Sequence, residues 1–84
     1  MARYQVRNVP YADEQLSQLP RSWRTAFDAR VEDLKDDPYA VGDPNEETRS
    51  YFTTFGEEGR GIIQYMISDE ITMVTILRVN WVEM

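Results

Sequence analysis

The sequence predicts an α+β fold with the order β-α-α-β-β-β, two helices packed on one face of a small antiparallel-dominated sheet. Three observations carry that prediction. An apolar stripe of helical period runs through residues 22–36, the period switches to two from Arg49 onward, and turn-forming residues separate the segments. At 84 residues the chain is expected to form one domain, 1–84, around one modest core.

Residues 3–9 alternate as a strand, with Tyr4 and Val6 on one side and Arg3, Gln5 and Arg7 on the other. Pro10 has no N–H for a ladder and ends it. Asp13 to Leu19 reads as a short helix that turns Ala12, Leu16 and Leu19 to one side, and Pro20 closes it. Ser22 is the expected cap of the second helix. Along that helix Trp23, Ala26, Phe27, Val31 and Leu34 form the stripe, which is read as core, and Asp36-Asp37-Pro38 stops it because a residue before proline avoids the α region.

Tyr39 to Glu47 carries Gly42, Asp43, Pro44 and Asn45 and is expected to be a loop. Arg49 to Phe55 then alternates Tyr51, Thr53 and Phe55 against Phe52 and Thr54. Gly56 to Gly59 is a turn, Gly61 to Ile67 a dense apolar strand, and Ser68-Asp69-Glu70 a reversal. Ile71 to Trp81, apolar on both faces, suits a central strand.

Composition narrows the function. There is no cysteine and no histidine, which excludes disulfides and Cys/His zinc sites; no metal and no cofactor is expected. The opening Met-Ala-Arg-Tyr-Gln lacks an apolar signal core, and no run approaches the ~20 apolar residues of a membrane span, so a cytoplasmic protein without membrane contact is expected. Nine basic residues stand against fifteen acidic ones, a net charge of −6, whereas a nucleic-acid binder normally presents a basic surface. Eight of the acids fall between Asp28 and Glu47, which reads either as a solvated helix face and loop or as a surface for a basic partner.

The order and several short motifs resemble the RelE/ParE toxin superfamily across nearly the whole chain. The residues that carry the resemblance are Ala12-x-x-x-Leu16 leading to Leu19-Pro20, then Leu34-Lys35-Asp36-Asp37-Pro38 and Gly42. They continue in the hairpin Gly59-Arg60-Gly61-Ile62-Ile63-Gln64-Tyr65-Met66-Ile67-Ser68-Asp69-Glu70 and the ending Ile76-Leu77-Arg78-Val79. The resemblance implies helices on one face of the sheet, an opposite concave face left for RNA or another target, and a cognate antitoxin that wraps the toxin. RelE-like members cleave mRNA in the ribosome and ParE-like members poison DNA gyrase, a choice the fold alone does not make.

The family's hairpin tyrosine faces the helices, which implies that Ile63, Tyr65 and Ile67 point inward and Arg60, Ile62, Gln64 and Met66 outward. Leu77 and Val79 inward would place Ile76, Arg78, Asn80 and Val82 on the open face, joined by Phe52 and Thr54. Arg60 and Arg78 are the candidate catalytic residues, because a guanidinium can stabilise the charge of a 2′-OH attack on phosphate. Phe52, Gln64, Asn80 and Arg49 are the candidate substrate-binding residues, with Arg3 and Arg7 as further candidates. Local ion pairing with Glu57, Glu58, Asp69 or Glu70 is the competing role for the arginines. RelE-type nucleases usually carry lysines where Phe52 and Thr54 stand and an arginine where Ile62 stands.

Three readings follow from the resemblance. The first is the toxin of a type II toxin–antitoxin system, a metal-independent mRNA endoribonuclease that inhibits translation, with the antitoxin, mRNA and the ribosome as partners and DNA reached only through the antitoxin. The second is a non-enzymatic, ParE-like inhibitor of DNA gyrase. The third is a catalytically degenerate scaffold that still binds its antitoxin.

Overall fold

The structure is a computed structural model and describes residues 3–82. Its strands are β1 (Gln5–Asn8), β2 (Asp43–Asn45), β3 (Ser50–Phe55), β4 (Gly61–Ser68) and β5 (Met73–Trp81). Its helices are α1 (Pro10–Ser17), α2 (Arg21–Asp36) and the single turn α3 (Pro38–Val41). The strands form one sheet in the order β1-β5-β4-β3-β2, with β1 parallel to β5 and the other three pairings antiparallel. The α+β, antiparallel-dominated arrangement is the expected one.

Proline sets both helix starts. Pro10 ends β1 and opens α1, where its fixed φ suits the first helical position and its missing N–H would have had no partner. The helix thus begins three residues before the expected Asp13. Pro20 is the N-cap of α2, so Ser22 lies inside the first turn and does not cap it. Ala12, Leu16, Phe27 and Leu34 from the helices, with Leu19 from the link between α1 and α2, meet Phe55, Ile63, Tyr65, Val74, Ile76 and Val79 from the sheet, all buried in one cluster. Trp23, Ala26 and Val31 pack partly buried against it, so the stripe is core along its length.

Two departures from expectation have clear causes. The stretch Tyr39–Glu47 is not simply a loop: it holds α3 and β2. The Asp37 side chain accepts from the Ala40 N–H and caps α3, while β2 pairs with β3, Asp43 beside Phe52, Pro44 beside Tyr51 and Asn45 beside Ser50. Asp-Pro-Asn has no alternating pattern and is exposed throughout, as an edge strand carrying proline can be. The second departure is a β-bulge. Gln64 lies opposite Arg78 but Tyr65 lies opposite Ile76, so Leu77 is the extra residue. The bulge reverses the alternation, and Ile76 is fully buried instead of lying on the open face.

Tyr65 is also fully buried, stacks on Tyr51, and donates from Oη to the Pro38 carbonyl oxygen at 2.7 Å. Gly42 is required beside it, since any Cβ there would overlap the Tyr65 hydroxyl. Burial pushes the Tyr65 phenol up to about 12. On the outer side of α2 most acids meet the chain's own cations: Arg24 with Asp28, Arg30 with Asp33, Lys35 with Glu32, and Arg3 with both Glu32 and Asp36. This is the solvated, locally balanced face, and each exposed pair contributes little.

A carboxylate clasp closes the far end of the sheet. The hydroxyls of Tyr39 and Tyr4 donate to Asp69 at 2.5 and 2.8 Å, tying the β4–β5 turn to α3 and to the residue before β1. These bonds, that of Tyr39 first, hold the Asp69 carboxyl below its ordinary 3.8 and push the Tyr39 phenol up to about 12. A lowered carboxylate stabilises the fold above its unfolded value and loses that contribution as pH falls through its folded value. A raised phenol stabilises below its ordinary 10.0 and loses that contribution as pH rises through about 12. Thermal melts of Asp69→Asn are therefore expected to show a flatter dependence on pH below 3.8 than the wild type. An acid limb identical in the two proteins would show that the clasp contributes nothing.

Candidate functional site

The face of the sheet away from the helices is built in rows. Register places Phe52 of β3, Gln64 of β4 and Arg78 of β5 side by side, and Thr54, Ile62 and Asn80 in the next row. With strands about 4.8 Å apart, the first row spans roughly 10 Å between the backbones of β3 and β5. Ile62 and Met66 are 42% and 47% exposed, so this face carries apolar surface that no described residue covers. A concavity of about 390 Å³ opens beside the rows, lined by Val41, Asp43, Phe52, Thr53, Thr54 and Ile62. Asp43 is the carboxylate that register brings next to Phe52.

Arg78 is exposed on this face, and none of the described carboxylates pairs with it. Its guanidinium sits 5.8 Å from the ring centroid of Tyr11, itself 53% exposed. Asn80 accepts from Gln15 Nε2 at 3.5 Å, and Gln15 Oε1 accepts the Val79 N–H at 2.7 Å. The reason is topological. β1 pairs with β5 only over Met73–Ile76, and beyond it α1 takes the place of a strand. The N-terminal helix thereby brings Tyr11 and Gln15 to the site.

Of the sequence candidates, Phe52, Gln64, Arg78 and Asn80 come together. Arg60 does not join them. It follows a 3-10 turn, Glu57–Gly59, in which Glu58 and Gly59 have φ of 55° and 66°, so the strand alternation does not extend back to it. Its guanidinium bonds Glu58 at 2.7 Å and lines a separate cavity of about 170 Å³ with Ser22, Trp23 and Ala26 of α2. Arg49 also stands apart, with φ of 53° at the end of the β2–β3 turn, beside Pro44, Asn45 and Tyr51. Arg3 is engaged on α2, whereas Arg7 bonds Thr75 at 3.0 Å on the open face. Among the described residues no cluster of carboxylates could hold a metal ion, and no helix is long and apolar enough to cross a membrane.

Tyr11 and Gln15 were missed by sequence reasoning. The available signal was weak: an aromatic in the exposed first turn of a helix, which patterning alone treats as surface.

No protein-family model matches the chain, and no curated protein matches it. Solved structures do. The chain is 34% identical to one in the RelBE2 toxin–antitoxin complex of Mycobacterium tuberculosis, with 98% of this chain and 94% of that one covered and a TM-score of 0.77. It shares its fold with a chain of the intact E. coli RelBE toxin–antitoxin complex, 19% identical over 96% of this chain and 99% of that one, TM-score 0.75. It shares it also with a mutant of the E. coli toxin RelE in the free state, 18% identical over 99% and 86%, TM-score 0.77.

Proposed function

This chain belongs to the RelE/ParE toxin superfamily, and on that premise we propose that it is the toxin of a type II toxin–antitoxin pair, acting on mRNA through the open face of its sheet and silenced by a cognate antitoxin. The row Phe52–Gln64–Arg78, with Tyr11 against Arg78, is the observation that supports an RNA target. The half-buried ring of Phe52 suits a splayed base, and an arginine unpaired by the described carboxylates suits a phosphate. Of the fifteen acids, Asp28, Glu32, Asp33 and Asp36 are paired with cations along α2, whereas Asp43 stands beside Phe52 in the register.

Cleavage would proceed by 2′-OH attack on the adjacent phosphodiester, closing a 2′,3′-cyclic phosphate as the bond to the 5′ oxygen breaks and that oxygen leaves as the new 5′-OH, and Arg78 would stabilise the charge that gathers on the phosphoryl oxygens. The chain has no histidine to take the proton. The proton would pass instead to a carboxylate such as Asp43, which register brings beside Phe52, or to a group of the ribosome. The antitoxin is expected to cover Ile62 and Met66 with apolar side chains and to be the more basic partner, since complementary charge speeds association.

Expression of the chain alone, with amino-acid and thymidine incorporation followed separately, tests the reading. Protein synthesis is expected to stop first, with co-expression of the neighbouring frame restoring it. Arrest of DNA synthesis ahead of translation would move the target to gyrase, and unimpaired growth would leave only an antitoxin-binding scaffold.

A further inference from the structure

The side chain in the middle of the row has a fixed polarity. Gln64 Nε2 lies 3.0 Å from Ser50 Oγ, Ser50 Oγ lies 2.6 Å from Thr48 Oγ1, and Thr48 Oγ1 lies 3.5 Å from the Asn45 carbonyl oxygen. A carbonyl oxygen only accepts, so Thr48 donates to it, Ser50 donates to Thr48, and Ser50 accepts from the Gln64 amide. Ser50 is 2% exposed, so water does not compete for its hydroxyl. Gln64 Oε1 has no partner among the described residues, and none of their buried polar side-chain atoms is left unpaired, so this oxygen is open to solvent.

We propose that Gln64, held by the Ser50–Thr48 relay, is a specificity-determining residue that favours nucleobases carrying an exocyclic amino group over uracil. The proposal rests on the RNA reading of this face. Phe52 and Gln64 are register partners on strands about 4.8 Å apart, so a base stacked on Phe52 turns its edge toward Gln64, with the phosphate beyond it toward Arg78. Adenine, cytosine and guanine each project an amino N–H from the ring edge to meet the Gln64 oxygen. Uracil offers only its ring N3–H, whose bond to that oxygen is weakened by the repulsion of the two flanking carbonyl oxygens. An untethered carboxamide would turn its NH₂ outward and accept uracil equally well. The relay prevents the turn, and Ser50 and Thr48 are therefore positioning residues.

The test is fluorescence anisotropy of the full chain with short single-stranded oligo-A, oligo-C and oligo-U at one salt concentration. The wild type is expected to bind oligo-A and oligo-C about tenfold more tightly than oligo-U, the scale of one hydrogen bond left unmade in a partly desolvated site. Ser50→Ala, and independently Gln64→Met on the open face, should bring the ratio to within about threefold. Arg78→Ala should weaken all three together and keep the ratio. Equal binding of the three by the wild type, lost in Arg78→Ala, would overturn the assignment to Gln64 and leave the RNA reading standing. A ratio unchanged in both Ser50→Ala and Gln64→Met would overturn it too, and binding of none of the three would sink both.

Discussion

Replacing Arg78 with alanine is expected to lower the proposed mRNA cleavage by ~100-fold or more, the usual loss when one preorganised donor to a developing anion is removed. The side chain is exposed and no described carboxylate pairs with it, so the fold should be little affected and the loss can be read as function. Tyr11 would lose its cation contact, worth ~0.5–1 kcal/mol at an exposed site, which is too small to unfold the domain. Arg78→Lys should recover part of the activity, because it keeps the charge but not the planar fork. Arg60→Ala is the informative comparison. Arg60 bonds Glu58 and lines the cavity against α2, so its loss should change cleavage far less than that of Arg78. Equal losses in the two variants would show that Arg60 reaches the RNA after all.

The second large effect is on stability. Phe55 is 1% exposed, and the rings of Trp23 and Phe27 meet it edge-on with centroids 5.9 and 5.6 Å away. Phe55→Ala removes the ring that joins α2 to β3 and is expected to cost ~3–5 kcal/mol, transfer and cavity terms together. Against a total of ~5–15 kcal/mol for a domain, that leaves little or no cooperative melt. Thermal or urea unfolding followed by circular dichroism measures it. A loss below ~1 kcal/mol would mean the aromatic cluster is not the centre of the core. Phe52→Ala, on the opposite face of the same strand, should leave the melt nearly intact while weakening RNA binding.

These two outcomes mark what patterning made legible. Trp23, Ala26, Phe27, Val31 and Leu34 repeat at helical spacing because one face of α2 must bury, so α2 and its partner strands were readable directly. The open-face row was readable through strand parity, which placed Phe52, Gln64, Arg78 and Asn80 together. Parity failed where the backbone leaves the β region. Arg60 follows residues of positive φ, and Ile76 stands beside the bulged Leu77, two adjacent apolar residues between which alternation alone does not choose the inward one. β2 and α3 depend on pairing with β3 and on the Asp37 cap, and a three-residue Asp-Pro-Asn edge strand has no periodicity of its own. Tyr11 and Gln15 reach the site because β1 is shorter than β5, a fact of topology with no local signature.

The most direct measurement of the account is primer extension on a defined mRNA in a cell-free translation reaction supplied with the purified protein. New 5′ ends are expected within the translated region, absent with Arg78→Ala and suppressed when the antitoxin is added. Full-length message and undiminished translation in the presence of folded protein would contradict it.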